Sequence, residues 1–285
     1  MTVRGTALVV VSAIMATLGS IAAGMASALV VGAVDCSPVS CDLRDAKLDG
    51  EIDSSTVLKI GRLIAQTEEA AVQSKTVASF SWGIELDSPG GSVPAAMELG
   101  RLLRKKRAWV IGPSGASCNS ACVLVLAGAV ERLVFGKVGI HRPYLEVPKQ
   151  DVTPDHVGSL YQATLAEIRD YFREMNVSEQ LADAMLRIDP EHVKFLNDAA
   201  LASYGLLSTD PIEKETADLE EAQYLGLSRS QYIERKQVAA RLCPGRFGNP
   251  DILTPCYQAV MKTGRVPENT PPAPDFAKYG APTRN

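Results

Sequence analysis

The sequence predicts an α/β fold with largely parallel strands, and two observations support this prediction. Between residues 46 and 210, short apolar runs alternate with stretches in which apolar residues recur at helical spacing. The composition, 46% hydrophobic and 22% charged over 285 residues, is that of an ordinary folded protein with one large domain or two small ones. No sustained heptad pattern or long internal repeat is present, which excludes coiled coils and solenoids.

The first predicted elements follow one another as strand and helix units. They are a strand from Leu48, a helix over 57–71, a strand over 81–87, a helix around 96–103, a strand over 108–112, an apolar helix over 120–129 and a strand region over 132–140. Helix-capping residues precede the first helix, and a Gly-Gly turn separates the second strand from its helix.

The second half of the chain is mainly helical. Helices are predicted over 155–175 and 178–186, followed by a short strand and helix over 195–204. From residue 211 Glu, Lys, Arg and Gln dominate, and the last twenty residues are rich in proline and poor in apolar side chains. The predicted organisation is a leader or anchor over 1–28, a linker over 29–45, the α/β domain over 46–210, a helical extension over 211–265 and a disordered tail over 266–285.

The N-terminal segment predicts export. No charged residue lies between Arg4 and Asp35, and this apolar stretch is long enough to cross a bilayer. The triplet Ala26-Ser27-Ala28 fits a signal peptide that is cut after Ala28, while an uncleaved anchor that leaves Arg4 in the cytoplasm is the alternative. We therefore expect the protein in the periplasm or on the outer face of the inner membrane.

The cysteines agree with an exported protein. They form three close pairs, namely Cys36 with Cys41, Cys118 with Cys122, and Cys243 with Cys256. An even number in close pairs predicts disulfides in an oxidising compartment, and a zinc site fits less well because no CxxC motif and no suitably spaced histidine is present. For Cys118 and Cys122 two interpretations stay open, a bridge or small buried thiols.

Charge and motif spacing exclude several classes of partner. The formal net charge of -4 gives no basic surface for nucleic acid. The glycine-rich turn lacks both the Lys-Ser/Thr continuation of a phosphate-binding loop and the spacing of a dinucleotide fingerprint. We therefore predict no nucleic-acid partner, no cofactor and no metal.

Three segments between residues 86 and 143 carry the residue types of a serine hydrolase. They are the turn Ser-Pro-Gly-Gly at 88–91, Ser120 within Cys-Asn-Ser-Ala-Cys, and His141 directly after a predicted strand. Each alone has a structural explanation as a tight turn, a helix N-cap or a structural histidine. Together they supply a nucleophile, a base and backbone donors for an oxyanion.

These segments resemble the Clp-type serine peptidases of the ClpP/crotonase superfamily. The resemblance extends over about residues 46–207 and rests on the Ser-Pro-Gly-Gly turn, a serine before an apolar helix, and Ile-His-Arg-Pro at 140–143. It implies a spiral of strand and helix units and a homo-oligomer. The Cys-Asn-Ser-Ala-Cys setting and the export signal are similar to a periplasmic branch of the superfamily.

The resemblance also implies the roles of individual residues. Ser120 would be the nucleophile, His141 the general base, and the backbone amides of Gly90 and Ala121 the oxyanion hole. The substrate would be a peptide or protein.

One position departs from the family pattern. The family has an aspartate two residues before the Phe of a Phe-Leu pair, and Val193 stands there in this chain. Asp189 and Glu191 are close enough along the chain to substitute, and a Ser/His pair with another orienting group is a further possibility. Lys137 is an alternative base, by analogy with related serine and lysine peptidases.

The sequence thus predicts an exported serine peptidase that hydrolyses peptide bonds through Ser120 and His141. The main alternative is a non-catalytic envelope scaffold or binding protein that retains the fold, and Val193 supports it. An acyl-CoA enzyme of the crotonase type fits less well, because coenzyme A is cytoplasmic and the serine and histidine motifs belong to the peptidase branch.

Overall fold

A computed structural model describes residues 28–36, 40–74, 79–144, 153–243 and 255–267. The chain divides into two compact units between Asp210 and Pro211. This division coincides with the change in composition that separates the predicted α/β domain from the helical extension.

The strands of the first unit form two sheets. They are β1 (Leu29–Cys36), β2 (Ser40–Asp49), β3 (Ser79–Asp87), β4 (Trp109–Gly112), β5 (Ser117–Asn119), β6 (Glu131–Val134), β7 (Lys137–Ile140), β8 (Lys194–Phe195) and β9 (Ser208–Thr209). The larger sheet has the order β1-β2-β3-β4-β6-β9 and the smaller one the order β5-β7-β8. Strands β2, β3, β4 and β6 pair in parallel, as do β5 and β7, which confirms the predicted α/β class.

The helices of the first unit begin where the sequence supplies capping residues. They are α1 (Ser54–Gln73), α2 (Val93–Lys105), α3 (Cys122–Gly128), α4 (Pro154–Glu174), α5 (Gln180–Leu186) and α6 (Asp198–Tyr204). Asp53 and Thr56 form a capping box at the start of α1, and the Ser92 side chain caps α2. Gly205 ends α6 in the left-handed conformation.

The region predicted as a linker over 29–45 is mostly strand. β1 pairs antiparallel with β2, and Ala28 just before β1 is fully buried. The Ala28 amide donates to the Glu51 carbonyl at 2.8 Å, and the Lys59 ammonium donates to the Ala28 carbonyl at 3.0 Å. The linker prediction was wrong because the strand Leu29–Cys36 continues the apolar leader pattern without a break in composition.

The predicted leader lies almost wholly outside the described residues, which begin at Ala28. Within the described ranges, no helix combines the length and the apolar character needed to cross a bilayer. The predicted Pro-rich tail likewise lies outside them from residue 268 onward.

Helix α3 is the centre of the core and is buried along its whole length. Its contact with α2 requires glycine on both helices, since a Cβ on Gly128 would stand 2.3 Å from the Cα of Gly100. The Tyr171 hydroxyl donates to the Leu124 carbonyl of α3 at 2.7 Å, and burial raises the pKa of this phenol. These contacts hold α3 in place behind the turn that carries Ser120.

A buried charge cluster closes the other end of α3. Arg132 is 2% exposed and donates to the carbonyls of Leu126 and Ala127. Desolvation is the main cause that lowers the pKa of Arg132 to about 10. The fully buried Asp210 accepts a hydrogen bond from Arg104 at 2.9 Å and lies 3.8 Å from Arg132.

Replacing Asp210 with alanine should destabilise the first unit by about 3 to 5 kcal/mol, because it leaves buried cations uncompensated. Urea unfolding followed by tryptophan fluorescence measures this selectively, since both tryptophans of the chain, Trp82 and Trp109, lie in this unit. The control is Asp170→Ala, which removes a solvent-exposed ion pair with Arg173 and should leave the midpoint nearly unchanged. Equal midpoints for the two variants would contradict the buried-charge argument.

The second unit contains the helices α7 (Pro211–Tyr224), α8 (Arg229–Leu242) and α9 (Pro255–Thr263). A disulfide joins Cys243, at the end of α8, to Cys256 in α9. The predicted helical extension with its disulfide therefore has this form in the described part of 211–267.

The other two cysteine pairs lie in the first unit. Cys118 and Cys122 form a disulfide with a Cα separation of 5.2 Å, so the bridge, and not the pair of free thiols, is present. The backbone register of β1 and β2 places Cys36 opposite Cys41. The side chain of Cys41 lies outside the described part, and its predicted bridge to Cys36 stays a prediction.

Candidate functional site

The three sequence segments with hydrolase-type residues meet at one edge of the smaller sheet. Ser88, directly after β3, forms a bridge with Cys118 of β5, and the Asn119 amide donates to the Ser88 carbonyl at 2.9 Å. β5 pairs with β7 in parallel, with Asn119 opposite Gly139. Because parallel strands end at the same edge, the residues that follow β5 and β7, Ser120 and His141, are neighbours there.

Ser120 occupies a strained turn between β5 and α3. Its φ of 55° lies in the left-handed region, which residues other than glycine adopt rarely and mostly at functional positions. The Ser120 amide donates to the Gly139 carbonyl at 2.9 Å, which ties the turn to β7.

The side chain of Ser120 does not cap a helix. The N-cap of α3 is Ala121, and no side chain caps this helix. Among the described residues, the Ser120 hydroxyl has no hydrogen-bond partner, although the residue is partly buried. The capping interpretation of Ser120 therefore does not hold, and the predicted helix start at residue 120 lies two residues too early.

The disulfide between Cys118 and Cys122 brackets this turn. Cys118 belongs to β5 and Cys122 is the first residue of α3, and both are buried. The bridge therefore joins the strand and the helix on either side of Ser120. The bridge closes a loop of a few residues around Ser120 and so reduces the backbone freedom of the serine turn.

Gly90 packs directly against the serine turn. Its φ is 113°, and a Cβ there would stand 2.7 Å from the Cβ of Ser120 and 3.1 Å from the Ala121 amide nitrogen. Only a glycine lets the two backbones approach this closely. The Gly-Gly turn, the serine and the amide of Ala121 are thus in contact, as the sequence motif predicts.

The two predicted oxyanion donors differ in their hydrogen bonding. The Gly90 amide donates to the buried Ser88 hydroxyl at 3.1 Å, and this hydroxyl in turn donates to the Gly50 carbonyl at 2.6 Å. The Ala121 amide makes no hydrogen bond within the described part of the chain. Of the two amides, that of Ala121 is therefore the one whose N–H is not already used in a hydrogen bond within the described residues.

His141 is buried, with 7% of its surface exposed. Its Nδ1 lies 2.8 Å from the backbone carbonyl oxygen of Arg142. A carbonyl can only accept, so Nδ1 carries the proton in this contact, and in a neutral ring Nε2 would be the acceptor. The edge of the Tyr144 ring packs against the imidazole, with the ring centroids 5.5 Å apart.

The Ser120 turn is tied to β7, which ends one residue before His141, but no hydrogen bond joins the Ser120 and His141 side chains among the described residues. In free serine hydrolases such bonds are often long and tighten when substrate binds. The tautomer of His141 leaves Nε2 as the nitrogen that can take a proton from Ser120. The site therefore contains a serine hydroxyl and an imidazole at the ends of neighbouring strands.

The acidic candidates for a third catalytic residue do not reach the histidine. Asp189 is exposed, and its carboxylate accepts the amide of Glu191 at 3.2 Å within its own turn. Glu191 is also exposed, and no contact of either side chain with His141 is present in the described residues. The antiparallel register of β7 and β8 pairs Ile140 with Lys194, and continuing it by one residue on each strand brings the apolar Val193 opposite His141.

Lys137 lies at the wrong end of β7 to act as the base. It pairs with Ser117, at the start of β5, whereas Ser120 follows the end of that strand. Its ammonium lies 5.3 Å from the ring centroid of Phe195, in a cation–π contact. The analogy with a serine and lysine pair is therefore not supported by the geometry.

The described residues contain no group of three or more His, Cys, Asp or Glu side chains that could hold a metal ion. The Arg142 carbonyl, which is the partner of His141, could not be identified from the sequence motifs. A partial signal existed, because Arg142 precedes Pro143 and such residues are held in extended conformations. The hydrogen bond from Gly90 to Ser88 had no signal in the residue pattern.

No protein-family model matches the chain, and no curated protein sequence matches it. Among solved structures, it is similar to two point mutants of 1510-N, a membrane-bound stomatin-specific protease. A serine-to-alanine mutant is 20% identical, with 62% of this chain and 82% of that chain covered and a TM-score of 0.41. A lysine-to-alanine mutant in complex with a substrate peptide is 21% identical, with coverages of 62% and 77% and a TM-score of 0.41.

The chain is also similar to an asparagine-to-aspartate mutant of ClpP1 from Listeria monocytogenes. The identity is 17%, the alignment covers 56% of this chain and 86% of that chain, and the TM-score is 0.43. By their names, two of these solved structures are a protease and the third is a ClpP1.

Proposed function

We propose that this chain is an exported, ClpP-like serine peptidase that cleaves peptide bonds through Ser120 and His141. The observation that carries the proposal is the strained left-handed turn of Ser120, which contacts Gly90 and β7 and whose hydroxyl has no hydrogen-bond partner among the described residues. A serine with no structural hydrogen bond in a costly backbone conformation fits a nucleophile better than a helix cap.

In the proposed reaction, His141 Nε2 takes the proton of the Ser120 hydroxyl while the oxygen attacks the peptide carbonyl carbon. Collapse of the tetrahedral intermediate breaks the C–N bond, and the imidazolium gives its proton to the leaving amine. A water molecule then attacks the acyl-enzyme with the same base, which releases the acid and restores Ser120. The Arg142 carbonyl keeps the proton on Nδ1 in the resting ring.

The Ala121 amide is the main proposed donor to the oxyanion, because it follows the nucleophile and is free of other bonds. The Gly90 amide is the second donor. Its bond to the Ser88 hydroxyl must be given up before it can point at the oxyanion.

Export is proposed from the uncharged N-terminal segment and the disulfides. The bridges Cys118–Cys122 and Cys243–Cys256 are of the kind that persists in an oxidising compartment. A periplasmic location, or attachment to the outer face of the inner membrane, follows from this argument. Fractionation of cells that express the full chain, together with its N-terminal sequence, tests it.

Labelling with a fluorophosphonate tests the activity. If Ser120 is activated, its oxygen displaces fluoride from phosphorus, and peptide mapping of the oxidised full chain should find the adduct on Ser120 alone. Ser120→Ala should abolish labelling. The neighbouring serines Ser114 and Ser117 provide controls, since alanine at either should leave the adduct in place. Absence of an adduct on the folded wild-type protein would overturn the proposal.

A non-catalytic scaffold is the second candidate, favoured by the apolar Val193 opposite His141. It predicts that Ser120 reacts no faster than an ordinary exposed serine. The labelling experiment separates the two functions directly.

A further inference from the structure

Asn119 carries an unexplained polar group beside the site. It is the last residue of β5 and directly precedes Ser120. Its Oδ1 is fully buried and has no hydrogen-bond partner among the described residues. Buried acceptors without partners are rare and call for a specific explanation.

Gly139 leaves the space that this oxygen occupies. A Cβ on Gly139 would stand 2.3 Å from Asn119 Oδ1 and 2.4 Å from Val193 Cγ1. The absence of a side chain at residue 139 therefore makes room for the carboxamide. Asn119 Oδ1 and Val193 Cγ1 thus both lie over Gly139 of β7, the strand between β5 and β8.

The strand registers place this oxygen on the face of the sheet toward which the His141 side chain points. Asn119 pairs with Gly139, and His141 lies two residues beyond Gly139. Residues two apart on a strand share a face. Val193 comes opposite His141 when the antiparallel register of β7 and β8 is continued by one residue beyond the pair Ile140 and Lys194. The buried oxygen thus lies near Val193, the position opposite the histidine. A hydrogen-bond acceptor at this position would orient the imidazole.

We propose that Asn119 is a positioning residue for His141. When the imidazole leaves the Arg142 carbonyl to engage Ser120, its Nδ1–H donates to Asn119 Oδ1. This inference rests on the proposed function, because it assigns a third member to the Ser120 and His141 pair. An asparagine serves this purpose in cysteine peptidases with a Cys-His-Asn arrangement.

The chemistry of a carboxamide makes the proposal specific. A neutral oxygen orients the ring and fixes its tautomer, but it stabilises an imidazolium less than a carboxylate does. An aspartate at 119 should therefore favour the protonated ring, whereas alanine should leave the ring poorly oriented. Val193 is 43% exposed, so an aspartate at that position can approach the same nitrogen without full burial.

The test combines two measurements on the oxidised full chain. NMR of ¹³C-labelled histidine gives the titration midpoint of His141, and its signal is assigned by substitution because the chain has only three histidines. The second measurement is the rate of fluorophosphonate labelling of Ser120 against pH. Asn119→Asp should move both midpoints to higher pH by about one unit or more.

Asn119→Ala should lower the labelling rate about 10- to 100-fold, as expected for loss of a hydrogen bond to a charged group. Val193→Asp in that background should restore much of the rate. Asn197→Asp is the charge control, since Asn197 caps α6 on the exposed surface of the same unit and should leave both midpoints unchanged.

The outcomes separate this inference from the proposed function. An unchanged His141 midpoint in Asn119→Asp overturns the inference, whatever the labelling shows. A shifted midpoint in a protein whose Ser120 never reacts supports the contact and overturns only the peptidase proposal. A slow Asn119→Ala variant that Val193→Asp fails to rescue also overturns the positioning role, because it indicates a packing defect.

Discussion

Replacing His141 with alanine is expected to slow the reaction of Ser120 with a fluorophosphonate by about 10²- to 10⁴-fold. The physical reason is the tautomer that the structure imposes. The Arg142 carbonyl holds the proton on Nδ1, so in the proposed reaction Nε2 would be the acceptor for the serine proton. Without it the hydroxyl must react as a neutral alcohol. The measurement is the second-order rate constant of adduct formation, followed by intact-protein mass spectrometry.

The other two histidines provide the controls. His156 and His192 are exposed, as their polar sequence surroundings predict, and alanine at either position should leave the rate constant within about twofold. A rate constant that survives in His141→Ala would contradict the assignment of the base. A fall in all three variants would indicate an effect on folding, which the tryptophan unfolding curve would reveal independently.

The pieces of the candidate site could be predicted from the sequence because each follows the end of a strand. The Gly-Gly turn after β3, Ser120 after β5 and His141 after β7 occupy neighbouring positions for that reason. The partners of these residues could not be predicted. The Arg142 carbonyl and the Ser88 hydroxyl act through backbone direction, and Asn119 becomes relevant only once Gly139 and Val193 are known to adjoin it.

The limits on predicting the fold have similar causes. β5 has three residues, too few for a period-two pattern to predict a strand. The strand region over 132–140 is in fact two strands, β6 and β7, which belong to different sheets. A change of sheet between two consecutive strands depends on long-range pairing, so it cannot be detected in the local residue composition. β1 could not be recognised as a strand because its apolar residues directly continue the apolar leader segment.

Replacing Gly90 with alanine is the second change expected to have a large effect, a loss of about 10²-fold or more in the labelling rate of Ser120. The added methyl group would stand 2.7 Å from the Ser120 Cβ and 2.9 Å from the Asn119 carbonyl oxygen. Neither neighbour can move without displacing the serine turn, which the Cys118–Cys122 bridge holds between strand and helix. The nucleophile therefore shifts away from the base and from the Ala121 amide.

Gly115 supplies a matched control for this variant, because it separates steric contact from backbone strain. Its φ of 90° is also in the region unfavourable for alanine, yet a Cβ there meets nothing within 4 Å. Gly115→Ala should therefore carry a comparable backbone cost, visible in the urea midpoint, while Ser120 keeps its wild-type labelling rate. If Gly90→Ala reacted as fast as Gly115→Ala, close contact between the glycine turn and Ser120 would have no part in activating the serine. Equal stability of the two variants with a slow reaction only in Gly90→Ala would place the effect at the site, since strain alone would affect both alike.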